Sequence, residues 1–300
     1  MSILSVLGQA GRGALMGAAD IVPGVSGGTV ALVLGIFERL VANIHSGSQA
    51  IKEMLRGRFP AMLDALKRVE WVWLLSLLAG ILAAVLALSG LIEGLLNSQS
   101  VAMSGLFFGL VGASVLVAWR MITTRDTANT LLALLVGIAF FALLGLREDT
   151  HGVVGGAALP WWVYLGSGAI AICAMILPGI SGSFILVLLG TYGPILAAVS
   201  DRDFGAIAIF ALGCIIGLAL FSTFLNWALR TYHDRVLAVM VGLLLGSLRV
   251  LWPWPHGVDS TALGAPSGQV LLPVLLAAVG AAAVLVVERL ATRRAQPLAD

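Results

Sequence analysis

Two short strings place proline, glycine and serine inside strongly apolar sequence: VPGVSGG at 22–28 and LPGISGS at 177–183. In each, the proline removes a backbone donor and ends the preceding helix. The next serine, Ser26 or Ser181, is positioned to cap a new helix, and the glycines let a ligand approach the main chain. The start of such a helix presents free N–H groups and the positive end of the helix dipole. The strings therefore predict two helix tips suited to an anion, above all a phosphate.

The first string also fits the G-x-S-x-G pattern of a hydrolase nucleophile, so a membrane lipid phosphatase or hydrolase is an alternative. That nucleophile follows a strand and needs a base beside it. All four histidines fall in predicted loops or at helix ends, and the second string ends in Ser183 where the pattern requires glycine. The sequence therefore favours binding tips over an enzyme.

Both strings lie within long apolar segments. Of 300 residues 60% are hydrophobic, against 17 Lys and Arg and 15 Asp and Glu. Uncharged runs occur at 71–92, 101–119, 127–146, 152–200, 204–229 and 260–287. Because about 20 apolar residues span a bilayer as a helix, these runs exclude a soluble protein and indicate a polytopic helical membrane protein. A net charge of +2 does not favour a nucleic-acid partner. The N-terminus lacks the order of a signal peptide, so we expect it to be retained.

The chain contains one unit twice. The two strings lie 155 residues apart, and in both a glycine follows 12 positions after the proline, at Gly35 and Gly190. A second pair, MSGLFFG at 103–109 and MVGLLLG at 240–246, repeats in the same order. We predict an all-α polytopic membrane protein with two inverted-topology repeats, each a re-entrant helical hairpin plus three transmembrane helices. Duplicated broken segments of this kind are typical of a transporter's binding site at the membrane midplane.

The predicted boundaries are 1–150 for the first repeat and 151–300 for the second. With three crossings in each repeat, the second repeat is upside down and the protein crosses the membrane six times. The hairpin arms are predicted at 10–22, 27–43, 161–177 and 183–199, and the six crossing helices at 71–94, 101–119, 129–146, 204–229, 236–252 and 269–288.

The segment 46–70 carries the densest group of basic residues, Lys52, Arg56, Arg58, Lys67 and Arg68. Since such groups stay on the inner side, this segment is predicted to be cytoplasmic. Alternation then places the other dense basic groups and both termini in the cytoplasm as well. Apolar residues at helical spacing predict amphipathic helices on the inner leaflet, with Pro60 starting the second of them. A solvated connecting loop is the alternative.

Small residues in the apolar runs are interpreted as packing residues. Cys173 and Cys214, the only two cysteines, predict neither a disulfide nor a metal site. The glycines at 105, 109, 242 and 246 form small-xxx-small pairs on equivalent helices, a pattern typical of close helix packing. No metal ion and no resident cofactor are predicted.

The strings GAADIVPGVSGGTVALVLGIFERL at 17–40, SGLFFGLVGAS at 104–114 and LPGISGSFILVLLGTYG at 177–193 resemble the bacterial polyprenyl-phosphate transporter family. The resemblance covers essentially the whole chain. It implies transport of undecaprenyl phosphate, the lipid carrier of cell-wall sugars, from the outer to the inner leaflet of the bacterial cytoplasmic membrane for reuse. Without the resemblance, composition and residue spacing predict only a transporter with two helix tips suited to an anion.

The resemblance also implies the substrate-binding residues. They are Pro23, Gly24, Ser26, Gly27, Gly28 and Thr29 in the first hairpin, and Pro178, Gly179, Ser181, Gly182 and Ser183 in the second. Asp20 and Glu38 match the family string too, whereas the second hairpin has Met175 and Gly193 at the corresponding positions. Any role in charge compensation would therefore belong to the first hairpin.

A physical reason for charge compensation exists. Moving an anion to the inner face works against an inside-negative potential by about 2.3 kcal/mol per charge per 100 mV. Asp20 and Glu38 are therefore candidates for coupling to a proton or another cation. The alternative for Asp20 is a helix cap or interhelical hydrogen bond, and that for Glu38 is a pair with Arg39 or another nearby base.

The expected partners are undecaprenyl phosphate and the surrounding membrane lipids, with no nucleic acid and with the oligomeric state left open. A transporter or channel for a small anion would use the same tip chemistry and stays an alternative. The distinguishing feature is geometric, because a lipid tail requires a cavity that opens sideways to the bilayer.

Overall fold

The computed structural model of the protein describes residues 3–22, 24–146, 159–258, 260 and 262–295. All regular structure in this part of the chain is helical, which confirms the predicted all-α fold class. Its 13 helices are α1 Ile3–Asp20, α2 Gly27–Val33, α3 Phe37–Leu55, α4 Phe59–Arg68, α5 Trp71–Ser98, α6 Ser100–Met121, α7 Thr127–Gly145, α8 Trp161–Ile176, α9 Gly182–Leu188, α10 Tyr192–Ser200, α11 Phe204–Thr231, α12 His233–Ser247 and α13 Leu271–Ala295.

Five of the described helices, α5, α6, α7, α11 and α13, are long and apolar enough to cross a membrane alone, and a sixth span results if α9 and α10 count as one bent helix. A crossing helix was also predicted at 236–252, but the helix observed there, α12, ends earlier, at Ser247. Fifteen residues rise only about 22 Å, less than the ~30 Å of the hydrocarbon core. Tighter i→i−3 bonds then carry the chain from Leu248 to Trp252. Nine of the 15 residues of α12 are buried, so this helix lies at the centre of the fold rather than against lipid.

Glycines join α1 to α5 and α8 to α11 as parallel pairs. A Cβ atom added at Gly13 would lie 2.0 Å from the carbonyl oxygen of Leu77, and one added at Gly17 would lie 2.5 Å from that of Ile81. A step of four residues along α1 matches a step of four residues in the same sense along α5, so the two helices run in the same direction. The corresponding contacts of α8 and α11 pair Gly213 with Leu165 and Gly217 with Ala169.

The other two tight pairs connect the two halves of the chain. Gly105 and Gly109 on α6 face the backbone of Pro273 and Ala277 on α13, and Gly242 and Gly246 on α12 face Ala133 and Gly137 on α7. The predicted packing role of these four glycines is confirmed. The last helix of each half therefore packs on the middle helix of the other half, and the halves interlock.

The second arm of each hairpin is shorter than predicted. Instead of continuous helices at 27–43 and 183–199, α2 and α9 have seven residues each and end before Gly35 and Gly190. Both glycines are left-handed, with φ of 66° and 68°. The N–H of Gly35 bonds to Leu32 and that of Ile36 to Ala31, and the same pattern recurs around Gly190. This is the Schellman helix end, which explains the repeated downstream glycine. The axes of α9 and α10 then differ by 113°.

The basic segment 46–70 is helical, as predicted, but its first part is the end of α3 rather than a separate helix. Pro60 lies in the first turn of α4. Along its length α3 contacts the start of α5 through Arg39 and Glu70, and the later part of α11 through His45 and Thr223, whose side chains are 3.2 Å apart. The helix α3 therefore connects the start of α5 to the later part of α11.

Replacing Gly109 with alanine is expected to destabilise the protein by about 1–3 kcal/mol, the usual range for overpacking. A Cβ atom there would lie 1.9 Å from the carbonyl oxygen of Ala277, so α6 and α13 must separate. Thermal unfolding in detergent measures the effect. The matched control is Gly112→Ala on the same helix, where a Cβ atom meets nothing within 4 Å and helix propensity favours alanine. Equal melting temperatures for the two variants would contradict this account of the helix pair.

Candidate functional site

The two interrupted strings meet inside the protein. The backbone N–H of Gly179 donates to the hydroxyl of Thr29 over 3.1 Å in a buried contact. The Ser26 hydroxyl donates to the carbonyl of Met175 at 3.4 Å. The hairpin that follows α1, which packs beside α5, thus meets the hairpin that follows α8, which packs beside α11.

The first tip, built from Asp20, Ser26, Gly27, Gly28 and Thr29, is largely bonded to itself. Ser26 caps α2 as predicted, because its hydroxyl accepts from the N–H of Gly28 at 3.1 Å. The Asp20 carboxylate accepts from the N–H of Gly27 at 2.6 Å. The capping alternative for Asp20 is therefore the contact observed. A carboxyl oxygen of the protein itself already occupies this N–H group.

The second tip, built from Ser181, Gly182 and Ser183, differs in chemistry. The Ser181 side chain makes no capping bond, contrary to the prediction, and its hydroxyl lies 2.8 Å from that of exposed Ser183. Met175 occupies the position that Asp20 has at the first tip, since a Cβ atom on Gly182 would meet Met175 Cγ at 2.6 Å. The second tip thus offers two hydroxyls with no acid beside them.

Several glycines of the two strings are packed against protein. Gly24 and Gly179 have φ of 81° and 84°, which favours glycine at both positions. A Cβ atom on Gly24 would meet Val250, and one on Gly179 would meet the backbone of Leu243. These two glycines therefore fit the hairpin turns against α12 and the turn that follows it, which is not the ligand access expected of them. Pro178 is buried, and Pro23 lies outside the described residues.

Glu38 lies away from the tips, at the start of α3. Its carboxylate is 2.8 Å from Nε2 of His233 at the start of α12. His233 Nδ1 in turn lies 3.3 Å from Asp234, whose carboxylate accepts the N–H groups of Thr123 and Thr124. Glu38 therefore has a nearby base, as the alternative prediction expected, although the base is not Arg39.

Arg39 instead holds Glu70 at the start of α5. Its Nε donates to Glu70 Oε1 at 2.9 Å, a second nitrogen donates to Oε2, and the guanidinium carbon lies 4.7 Å from the centre of the buried Trp73 ring. The hydrogen bonds from Arg39 lower the pKa of Glu70 below its ordinary 4.5, against a smaller opposing effect of burial, and Asn43 adds to the lowering. The cluster fastens α3 to α5 at the surface.

The Glu70→Gln variant is expected to melt slightly below the wild type at neutral pH, because an exposed pair of this kind contributes about 0.2–1 kcal/mol. Because the pKa of Glu70 is lower in the folded protein than its ordinary 4.5, the ionised carboxylate stabilises the fold fully above pH 4.5. This stabilisation is lost as the pH falls through the lowered pKa. The difference between the two melting temperatures should therefore shrink below pH 4.5. Asp64→Asn, which removes a single and more exposed 3.6 Å contact with Lys67, is the control and should change the melting temperature less than Glu70→Gln does at neutral pH. A gap that persists in acid would contradict the assignment.

One cavity that several polar side chains line was not predicted from the sequence. Its volume is about 360 Å³, and it is lined by Ser89, Glu93 and Asn97 of α5, together with Ile21 beside Asp20. The three α5 residues are four positions apart and so share one helix face. Polar residues at every fourth position near the end of an apolar helix were the sequence feature from which this cavity could have been predicted. The cavity reaches Ile21, the residue that follows Asp20 of the first tip.

The described residues contain no group of three His, Cys, Asp or Glu side chains that could hold a metal ion. Cys173 and Cys214 are free thiols, and Cys173 contacts the carbonyl of Gly217 on α11 at 3.5 Å. The groups that the two tips present are hydroxyls, backbone N–H groups and the Asp20 carboxylate.

Long apolar helices surrounding two broken segments that meet in the interior define a multi-pass membrane protein of the transporter type. The chain belongs to the undecaprenyl phosphate translocase-like family, which matches residues 16–265. This match confirms the resemblance seen in the sequence.

Two relatives agree with this assignment. A polyprenyl-phosphate transporter of Vibrio cholerae serotype O1 is 39% identical over 244 residues, which cover 81% of this chain and 76% of the relative. A polyprenyl-phosphate transporter of Staphylococcus aureus is 30% identical over 257 residues, covering 81% of this chain and 84% of the relative. No solved structure matches the chain significantly. The family and both relatives are transporters, which removes the hydrolase alternative.

Proposed function

We propose that this protein returns undecaprenyl phosphate from the outer to the inner leaflet of the bacterial cytoplasmic membrane, so that the carrier lipid is used again. The relatives' names supply the substrate class. The observation that carries the proposal is the direct contact between the two hairpin tips, made through Thr29 and Gly179. A single headgroup could reach both tips from either side of the membrane.

The proposed phosphate site consists of the two Ser-Gly tips. The second tip makes the first contact, because among the described residues the hydroxyls of Ser181 and Ser183 bond only to each other and Ser183 is exposed. The first tip adds the N–H of Gly27 once the Asp20 carboxylate releases it. Hydrogen bonds to a charged group are each worth about 1.5–3 kcal/mol, so a few such contacts hold the headgroup without a basic residue.

Transport in this proposal proceeds by rocking of two inverted repeats around the fixed site. The equivalence of the tight helix pairs supports the repeat, since α1 packs on α5 as α8 packs on α11. The face that carries α3, α4 and the start of α5 is assigned to the cytoplasm, with the basic segment 46–70 on the inner leaflet. Both termini are assigned to that same face.

Asp20 is the proposed coupling residue. Two negative charges at 4 Å repel by about 4 kcal/mol at an effective dielectric constant of 20. A phosphate that approaches the first tip therefore favours a protonated Asp20, which frees the N–H of Gly27. The proton would enter through the water-accessible cavity beside Ile21 and leave with the substrate on the inner face. Glu38, already bonded to His233, is proposed to hold the cytoplasmic ends of α3 and α12 together.

The experiment that tests this function measures undecaprenyl phosphate separately in each leaflet. Cells that lack the protein should accumulate the lipid in the outer leaflet, and re-expression should restore the inner pool. Purified protein in liposomes should move the lipid without releasing inorganic phosphate. Selective uptake of a small anion, with no lipid movement, would instead favour the small-anion transporter.

A further inference from the structure

A second cavity lies beside the first hairpin. It measures about 320 Å³ and is bounded by α1, α2, α5, α6 and α13. Its lining is almost wholly apolar, with Leu15, Val30, Val33, Phe107 and Ala283 among the side chains that form it. The one hydroxyl in the lining, that of Ser114, donates to the carbonyl of Leu110 at 2.8 Å. The cavity therefore offers a ligand almost only apolar contacts.

We propose that this cavity binds the first isoprene units of the substrate's hydrocarbon chain; the inference rests on the function proposed above. Val30 immediately follows Thr29, whose hydroxyl joins the two tips. Val33 lies one turn further along α2, a helix of seven residues or about 10 Å. A lipid whose phosphate lies at the tips thus has its nearest carbon atoms beside Val30.

The cavity's position determines what it can discriminate. Lipid tails are as apolar as leucine, so a chain that moves from the bilayer into the cavity gains no hydrophobic stabilisation. The available gain is close packing, which depends on shape. Branched and aromatic side chains such as Val30, Val33 and Phe107 fit the methyl branches of an isoprenoid differently from a straight alkyl chain. The cavity therefore acts on chain selectivity more than on total affinity.

The volume limits how much of the lipid is held. About 320 Å³ lies at the lower end of small-molecule sites, which suits a few isoprene units of one chain. Two acyl chains of a phospholipid need more room than this. The rest of a long prenyl chain then stays in the bilayer, and selectivity should depend on the branches next to the phosphate rather than on total chain length.

The test fills the cavity from its lipid side. Ala283 of α13 is exposed and lines the cavity, whereas its exposed neighbour Ala282 does not line it. In liposomes of plain phospholipid, the wild type should transport undecaprenyl phosphate at least tenfold faster than hexadecyl phosphate. Ala283→Trp should reduce transport of undecaprenyl phosphate at least tenfold and remove this preference. Ala282→Trp should behave as the wild type, and all three proteins should melt at similar temperatures.

Three outcomes would overturn the inference. The first is equal transport by the two tryptophan variants, and the second is equal handling of branched and straight chains by the wild type. The third is loss of transport of both lipids in Ala283→Trp, which would indicate that the tryptophan blocks the transport movement of the protein rather than filling a chain-binding site. If the wild type moves neither lipid, the proposed function itself fails, and that result is distinct from all three. Should Ala283→Trp melt lower, the smaller Ala283→Leu at the same position repeats the comparison.

Discussion

Replacing Ser183 with leucine is expected to reduce transport more than 100-fold while the protein still inserts and folds. Ser183 is exposed, and its hydroxyl lies within hydrogen-bonding distance of that of Ser181. The leucine side chain would fill the space in front of the second tip and remove one hydroxyl, and the lost bond to a charged phosphate alone is worth about 1.5–3 kcal/mol. Liposome transport of undecaprenyl phosphate, normalised to folded protein, measures the effect.

The matched control is Ser200→Leu at the end of α10. Ser200 is also exposed, and its hydroxyl donates to the carbonyl of Leu196 within its own helix. This variant should transport normally. Ser26 is unsuitable for the same experiment because it is 2% exposed and touches Met175, so a larger residue there would disturb the contact between the tips. Normal transport by Ser183→Leu would remove the second tip from the site.

The Asp20→Asn variant is expected to bind the phosphate headgroup more tightly but to lose transport driven by a proton gradient. Asparagine keeps an oxygen that can accept from the N–H of Gly27, so the hairpin should keep its shape. It removes a like charge whose repulsion is about 4 kcal/mol at an effective dielectric constant of 20, equivalent to roughly a thousandfold in affinity. Residual water at the site is expected to screen much of this repulsion, so the criterion is an increase in affinity of at least tenfold.

The measurement combines binding of a short-chain prenyl phosphate with transport under imposed gradients of pH and of voltage. Wild-type transport should respond to the pH gradient, whereas Asp20→Asn should not. The companion variant is Met175→Asp, which places an acid at the equivalent position of the second tip and should weaken binding. Unchanged binding together with an unchanged response to pH in Asp20→Asn would limit Asp20 to a capping role.

The membrane class, the helical fold and the two interrupted segments could be predicted because they depend on local properties. Continuous apolar runs indicate spanning helices wherever they occur. Proline followed by glycine and serine interrupts such a run in any surroundings. The length of α12 could not be predicted in this way, because a helix buried among other helices need not match the bilayer thickness. The ends of α2 and α9 at Gly35 and Gly190 were visible as a repeated spacing, yet their meaning required the left-handed backbone.

Local sequence alone therefore determined that this chain is a membrane protein with two broken helices, and it located the serines and acids around them. Only the tertiary structure decided that the two tips touch, that Asp20 rather than solvent holds the N–H of Gly27, and that Ser183 is the open hydroxyl. Contacts such as the one between Thr29 and Gly179 join residues 150 positions apart. They depend on how four pairs of helices pack through their glycines, which no short stretch of the chain specifies by itself.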